Sequence, residues 1–290
     1  MRPQNRLSTV VAVLALLLST LVMAAPAATV EAVQSPAWRE RGGNTVPLAA
    51  GMELKSGDVL RTGPDARAYL MLAEGSRVKL GEATRFTFHS RSLQPEKSFR
   101  GALDVLAGAF RFTTGRLQKA RPNEIGIRVG TATIGIRGTD LWGRTSDEGD
   151  MVALLEGRIE ITRAGQVTEL TQPLTYFDAP AGKAAGVRAL DPDVFSTLAR
   201  QTEILAGDGA ADAKGKWRVL VGSASSQTAA LELYDEARDA GFAAQIRPRQ
   251  TEAGHWNYDV LLNGYASAAE AEVAAARLKA VTELKPGVMK

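Results

Sequence analysis

Trp217-Arg218-Val219-Leu220-Val221-Gly222 recurs downstream as Tyr258-Asp259-Val260-Leu261-Leu262-Asn263, and an Ala-rich amphipathic stretch follows each copy. An alternating apolar run is the mark of a strand with one buried face, and the Ala-rich stretches carry helical periodicity. A strand-plus-helix unit present twice, joined by an extra strand, predicts an α+β, ferredoxin-like βαββαβ module over residues 216–290. Its elements read as a strand at 217–222, a helix at 226–240, strands at 243–249 and 256–263, a helix at 267–280 and a short strand near 284–289. Ser226 and Ser267 hold equivalent positions in the two copies and are expected to cap the helices; Gly241 is expected to end the first. Helices back only one side of such a sheet, so the other side is open to a ligand.

Strand alternation assigns the faces. Trp217, Val219, Val221, Tyr258, Val260 and Leu262 are expected toward the helices, with Arg218, Leu220, Asp259 and Leu261 on the open side. Ala244 and Ile246 point in, so Gln245, Arg247 and Arg249 point out, and Trp256 approaches the sheet edge. Removing Leu220 and Leu261 from water is worth about 1.5–3 kcal/mol each, which leads to the expectation that something covers this face.

Residues 46–190 read differently. Ala68, Leu70 and Leu72, then Val78 and Leu80, Phe86 and Phe88, Phe110 and Phe112, and Ile159 and Ile161 keep a period of two, broken by Gly-rich turns. That is an all-β pattern. Asp191-Pro192 opens a helical segment, 191–206, whose Val194, Leu198 and Leu205 form a stripe expected to pack on the β domain. Gly207 to Gly215 reads as a flexible linker.

The chain has 290 residues and no cysteine, so disulfides and a lipidated cysteine are excluded. Arg2 and Arg6, the apolar run Val10 to Leu18, and small residues at Ala24, Ala25, Ala27 and Ala28 predict a cleaved secretory signal peptide over 1–27. Cleavage after Ala24 or after Ala27 fits the pattern. Removing Arg2 and Arg6 from 35 basic residues leaves them almost balanced against 32 acidic ones, which argues against nucleic acid as a partner.

Catalysis has little to stand on. His89 and His255 lie in different modules, there is no thiol nucleophile, and no Gly-x-Ser-x-Gly turn is present. Gly130, Gly135 and Gly138 sit in β pattern with no helix behind them, so they are not a phosphate loop. Asp147, Glu148 and Asp150 lack calcium-loop spacing and read as a solvated hairpin tip. Glu156 and Glu160 have no evident partner for glycoside cleavage. Asp58 and Asp140 are expected to bond local backbone amides. Arg61, Arg137 and Arg144 could form a basic stripe, though the pattern leaves their faces open. No catalytic residue, metal ligand or cofactor is assigned.

Two resemblances follow from these motifs. Trp217-x-Val219-x-Val221-Gly222-Ser223, Asp239-Ala240-Gly241-Phe242 and Tyr258-x-Val260-x-Leu262-Asn263-Gly264-Tyr265 resemble a SPOR domain, a bacterial envelope module that binds peptidoglycan. The resemblance implies binding of denuded glycan strands, from which stem peptides have been removed, and collection at division septa. The family often carries Gln at the position of Leu220 and a basic residue at that of Asp259. Gly51-x-x-Leu54-x-x-Gly57-Asp58-Val59-x-x-Thr62-Gly63, with Gly138-Thr139 and Val152-x-Leu154-x-Glu156-Gly157-x-Ile159, resembles the FecR domain family. That likeness implies a twisted, solenoid-like β structure in the periplasm. In iron-uptake regulators such domains follow a cytoplasmic segment and a membrane helix, whereas here the reading gives only a signal peptide ahead of the domain.

These readings combine into an exported binding protein. Its C-terminal module binds glycan through Arg218, Leu220, Ser223, Gln245, Arg247, Arg249, Trp256, Asp259 and Leu261. Arg247 and Arg249 supply polar contacts, Trp256 stacks on a sugar ring, and Ser223 offers a hydroxyl. The β domain contacts an unknown envelope protein. The alternative is a periplasmic sensor that signals through a membrane or receptor partner.

Overall fold

The computed structural model describes residues 26–90, 100–115, 124–252 and 254–290. The segment read as a signal peptide lies outside these residues up to position 25. Ala27 is already in the fold, donating its N–H to the Leu54 carbonyl.

In chain order the first strands are β1 (Ala28–Gln34), β2 (Ala37–Arg41), β3 (Asn44–Pro47), β4 (Glu53–Leu54), β5 (Val59–Thr62), β6 (Arg67–Leu72), β7 (Arg77–Leu80) and β8 (Arg85–Ser90). Then come β9 (Arg100–Thr113), β10 (Glu124–Val129), β11 (Ala132–Ser146), β12 (Gly149–Arg163), β13 (Gln166–Leu170), β14 (Thr175–Pro180) and β15 (Gly186–Ala189).

The ladders close on themselves. β1 pairs with β6, β6 with β7, β7 with the C-terminal arm of β9, the N-terminal arm of β9 with β8, β8 with β5, and β5 with β2. β1 and β2 are two arms of one stretch that turns at Ser35–Pro36, so the ring is complete. This is a small closed β-barrel, and it corrects the solenoid-like expectation. A solenoid stacks successive turns along one axis, whereas here the long β9 bends and serves both sides of a ring. The barrel also begins at Ala28, ahead of the expected boundary at 46, because β1 and β2 are needed to close it.

The alternation read from sequence fills the interior. Leu70, Leu72, Val78, Leu80, Phe86, Phe110 and Phe112 are all buried. Each such side chain contributes about 1.5–3 kcal/mol by leaving water. β9, β11 and β12 carry the sheet on: β10 lies parallel to β9, β11 pairs with β9, β10 and β12, and β13 and β14 flank the two ends of β12, with β15 beyond β14.

Charged side chains lock the barrel from outside. Asp58 is buried, and Arg41 grips it with Nε on Oδ1 and with Nη2 on Oδ2 at 2.6 Å. The Lys55 amide adds a third donor. Asp58 therefore does bond a local amide, and its larger partner is an arginine from another strand. Burial pushes the Asp58 carboxyl up, but the Arg41 and Lys55 bonds outweigh it and hold the group below its ordinary value. Asp140 departs further from the expectation: its two oxygens accept from Arg111 Nε at 3.0 Å and Nη2 at 2.8 Å. Asp150 is buried rather than at a solvated tip, and accepts from the Thr131 amide and the Thr131 and Thr145 hydroxyls.

Helix α1 (Pro192–Ala199) is capped by Asp191 as its sequence suggests, but none of its residues is buried, and Val194 and Leu205 are about half exposed. The stripe expected to dock does not. The connector is held instead by Glu203. Its carboxylate accepts from Lys79 Nζ at 2.6 Å, Arg111 Nη1 at 3.1 Å and the Tyr69 hydroxyl at 3.0 Å. Tyr69, Lys79 and Arg111 form one cross-strand row on β6, β7 and β9.

Residues 207–215, read as a flexible linker, contain β16 (Ala211–Asp212), which pairs with β1 through Ala32 and Val33. The C-terminal module follows: β17 (Trp217–Ala224), α2 (Gln227–Asp239), β18 (Ala244–Gln250), β19 (Trp256–Tyr265), α3 (Ala268–Val281) and β20 (Gly287–Met289). Its sheet runs β18-β19-β17-β20, antiparallel throughout. Ser226 and Ser267 cap α2 and α3. Ala211 also pairs with Tyr265 of β19, so β16 belongs to both sheets. Gly207 and Gly209 donate their amides to the Glu270 carboxylate of α3 at 2.6 Å each.

The barrel and the module meet at Gly241. It ends α2 at φ +85°, and a Cβ there would lie 2.5 Å from the Trp38 ring and 2.8 Å from Pro36. Its carbonyl accepts from the Ala37 amide. Arg61 stacks on the same Trp38 ring at 4.2 Å. Arg277 donates to the carbonyls of Ser35 and Asp65.

Two expectations follow. Gly241→Ala adds left-handed strain and overpacking, at a cost of about 2–4 kcal/mol. In calorimetry the single unfolding transition expected of the wild type then splits into separate barrel and module transitions. Asp58→Asn costs roughly 2 kcal/mol at neutral pH, under the range for a wholly buried pair because Arg41 is 36% exposed. Since the folded-state pKa of Asp58 is depressed, its stabilisation is complete above the ordinary value of 3.8 and is lost as pH falls through the lower one. Chemical denaturation at a series of pH values should show the gap between wild type and variant closing below pH 3.8.

Candidate functional site

The ladders of the C-terminal sheet decide which side chains share a face. Helices α2 and α3 pack on one side through Val219, Val221, Val260, Leu262, Ala230, Ala237, Ala271 and Leu278, all buried. On the other side β19 presents Asn257, Asp259, Leu261 and Asn263. Opposite them across β18 lie Arg249, Arg247 and Gln245. Leu261 faces Leu220 of β17, and Asn263 faces Arg218.

A bulge at Leu220–Gly222 matters here. Gly222, not Val221, stands opposite Val260, and Ser223 opposite Asp259. Two successive residues thus turn toward the helices: Val221 is buried, and a Cβ on Gly222 would lie 2.9 Å from the Leu233 side chain of α2. The phase is reset, and Ser223 joins Arg218 and Leu220 on the open side.

The face is already partly bonded to itself. Asp259 accepts from Arg249 Nε at 2.9 Å and from the Ser223 hydroxyl. The Arg249 bond holds the Asp259 carboxyl below its usual range; burial opposes this and Ser223 assists. The same bond raises the Arg249 pKa. Arg218 donates through Nη2 to the main-chain oxygen of Lys290 at 3.0 Å. Asn263 donates to Gln245 Oε1 at 3.2 Å. Arg247 is exposed and makes no side-chain hydrogen bond or ion pair among the described residues.

Eight of the nine side chains named from sequence come together on this face. Trp256 does not. It stands opposite Gln250, two residues from Tyr258 and four from Val260, so it has the helix-side phase of the strand and is 53% exposed near the strand's start. Stacking on a sugar held by the open face is therefore not available to it. Leu261 also departs from expectation: it is only 2% exposed. It sits on the central strand between Leu220 and Gln245, so the sheet's own side chains cover it and no outside cover is required.

The barrel leaves the face free. Among the described residues its hydrogen bonds to the module fall on Arg238, Gly241, Arg277 and β16, at helix ends and at the end of the sheet. Sequence reasoning passed over Asn257 and Asn263. Both lie on the open side by the same alternation that selected Asp259 and Leu261.

Elsewhere the structure describes two of the three arginines read as a basic stripe. Arg61 lies on β5, where it stacks on Trp38, and Arg144 lies on the C-terminal arm of β11; the Arg137 side chain is outside what the structure describes. Among the described residues no group of three or more His, Cys, Asp or Glu is placed to hold a metal, and no helix is long and apolar enough to cross a membrane.

Comparison with known proteins matches this division. The family model described as FecR protein matches residues 58–160, and the SPOR domain model matches 213–290. No curated protein matches the chain. Two crystal structures of a candidate anti-sigma factor from Parabacteroides distasonis are similar to it at 13% and 11% identity. Each comparison covers 68% of this chain and 96% of that one, with a TM-score of 0.39. Both matched domain types are non-catalytic.

The Arg249–Asp259 bond gives a test of the geometry. At neutral pH the Arg249 Nε–H should exchange slowly with water in a proton NMR spectrum, and Asp259→Asn should remove that protection. Because the Asp259 pKa is depressed, the Arg249 Nε–H chemical shift should hold steady in the wild type as pH falls to 3.8 and move toward that of the Asp259→Asn variant only below it.

Proposed function

We propose that this chain, which carries a FecR domain and a SPOR domain, is a non-catalytic envelope protein that binds peptidoglycan glycan strands freed of stem peptides. It works in the periplasm after export, and its barrel is the surface for an envelope protein partner. The observation that carries this reading is the open face itself: three strands present Arg218, Gln245, Arg247 and Asn263 on one side while the barrel bonds to helix ends and to the end of the sheet.

The chemistry suits a sugar polymer. Planar amide and guanidinium groups bond hydroxyl and acetamido groups, and the half-buried Leu220 offers apolar surface to a ring. A shallow face of this size binds weakly at one site. A polymer that repeats its unit offers many sites in register, so retention at the wall does not need a deep pocket.

The test is co-sedimentation of residues 25–290 with purified sacculi, before and after an amidase has removed the stem peptides. Binding should be stronger after the treatment, and Gln245→Ala should weaken it by about three- to tenfold, the loss of one or two hydrogen bonds. Absence of binding to either preparation would overturn the reading and leave a protein as the ligand of this face.

A further inference from the structure

Three arginines stand on the open face, and two are already engaged. Arg249 is held by Asp259, and Arg218 by the main-chain oxygen of Lys290. Arg247 lies between them in purpose but not in bonding. It is directly opposite Asp259 in the ladder, yet the Asp259 oxygens are taken by Arg249 and Ser223. Its guanidinium is exposed at the edge strand β18 and has no partner among the described residues.

The charge on the face is therefore uneven. Asp259 is offset by Arg249, and what remains positive and unbonded is concentrated at Arg247. Two residues away on the same face of β18 stands the exposed Gln245. A planar cation next to an amide fits a carboxylate flanked by hydroxyl or acetamido groups.

We infer that Arg247 is the residue that distinguishes stripped glycan from peptide-bearing glycan, by pairing with the lactyl carboxylate on the sugar. This rests on the glycan reading above. In an intact strand the lactyl group is joined to the stem peptide through an amide, which is neutral. Hydrolysis of that amide by water leaves a free carboxylate on the lactyl ether. Stripping thus creates an anion where there was none, as well as removing bulk. A receptor that answered only to bulk would need no cation, whereas one with an unbonded guanidinium on its face answers to the anion.

Asp259 sharpens this. Its carboxylate keeps Arg249 occupied and offsets its charge, so a ligand carboxylate meets its unpaired cation at Arg247. Asp259 acts through Arg249 and is a positioning residue.

The experiment uses residues 25–290 and three ligands: untreated sacculi, amidase-stripped sacculi, and stripped sacculi whose carboxylates have been converted to methylamides. The methylamide strands carry no stem peptide and no charge on the lactyl group. The wild type should bind stripped strands about tenfold more tightly than methylamide strands, the size of one charge-assisted contact, and the difference should shrink with added salt. Arg247→Gln, checked for wild-type melting, should bind both alike. Equal binding of the wild type to stripped and methylamide strands overturns the role of Arg247 and leaves the glycan reading standing. No binding to any of the three overturns the glycan reading and this inference with it. A variant Arg247→Gln that still prefers the charged strands assigns the carboxylate to another residue and also overturns the inference.

Discussion

Two residues, Ala211 and Asp212, tie the halves of this protein together. β16 pairs with β1 of the barrel on one side, and Ala211 pairs with Tyr265 of the C-terminal sheet on the other. A strand shared by two sheets transmits orientation through backbone hydrogen bonds, which are directional and do not depend on side-chain rotamers. Glu203 and Glu270 both fix the approach to it, Glu203 through Tyr69, Lys79 and Arg111 and Glu270 through the amides of Gly207 and Gly209. Gly241 against Trp38 then sets the distance at a second point. Two separated contacts stop a rotation that either alone would permit. The open face consequently points in a fixed direction relative to the barrel.

That constraint gives the glycan reading its physical sense. If the barrel swung freely on a tether, its surface and the sheet face would sample all relative orientations, and binding at one would say nothing about the other. On that reading, with the orientation fixed, a glycan strand bound to the sheet would hold the barrel at a defined angle to the wall. A partner protein meeting the barrel is then presented with the same surface each time. The ordering cost of the interface is met during folding and not at each encounter.

Sequence made the C-terminal module legible because the repeat fixes its strands twice over. Val219 and Val260 are equivalent in the doublet, and both are buried against helices. The alternation in 68–88 and 110–112 likewise gave the barrel's interior. What stayed hidden was whatever depends on register between distant segments. The closed ring needs β1 to stand beside β6, which no local pattern states. Asp259 finds Arg249 only because the hairpin register places them diagonally, and Trp256 loses its expected role by the same register. The connector misled for a chemical reason. Gly209 and Gly215 look like flexibility, but a Cβ on Gly209 would lie 2.9 Å from the Ala274 amide nitrogen, and one on Gly215 would lie 2.2 Å from the Gly264 carbonyl carbon. Glycine there permits close approach of backbones, and composition alone does not separate that use from mobility.

The replacement of a basic side chain by Asp259 also takes on a different meaning in three dimensions. As a single letter it looks like the loss of a cation from a binding face. In the sheet it is a carboxylate with both oxygens bonded, one to Arg249 and one to Ser223. It lies 8% exposed below the surface that a ligand meets. Its effect on a ligand therefore runs through Arg249, whose guanidinium it fixes in place and partly neutralises. The same bond that weakens Arg249 as a ligand group leaves Arg247, one step along β18, as the guanidinium of the face with no partner among the described residues. On the reading proposed above, a substitution that seems to subtract from recognition concentrates it at Arg247.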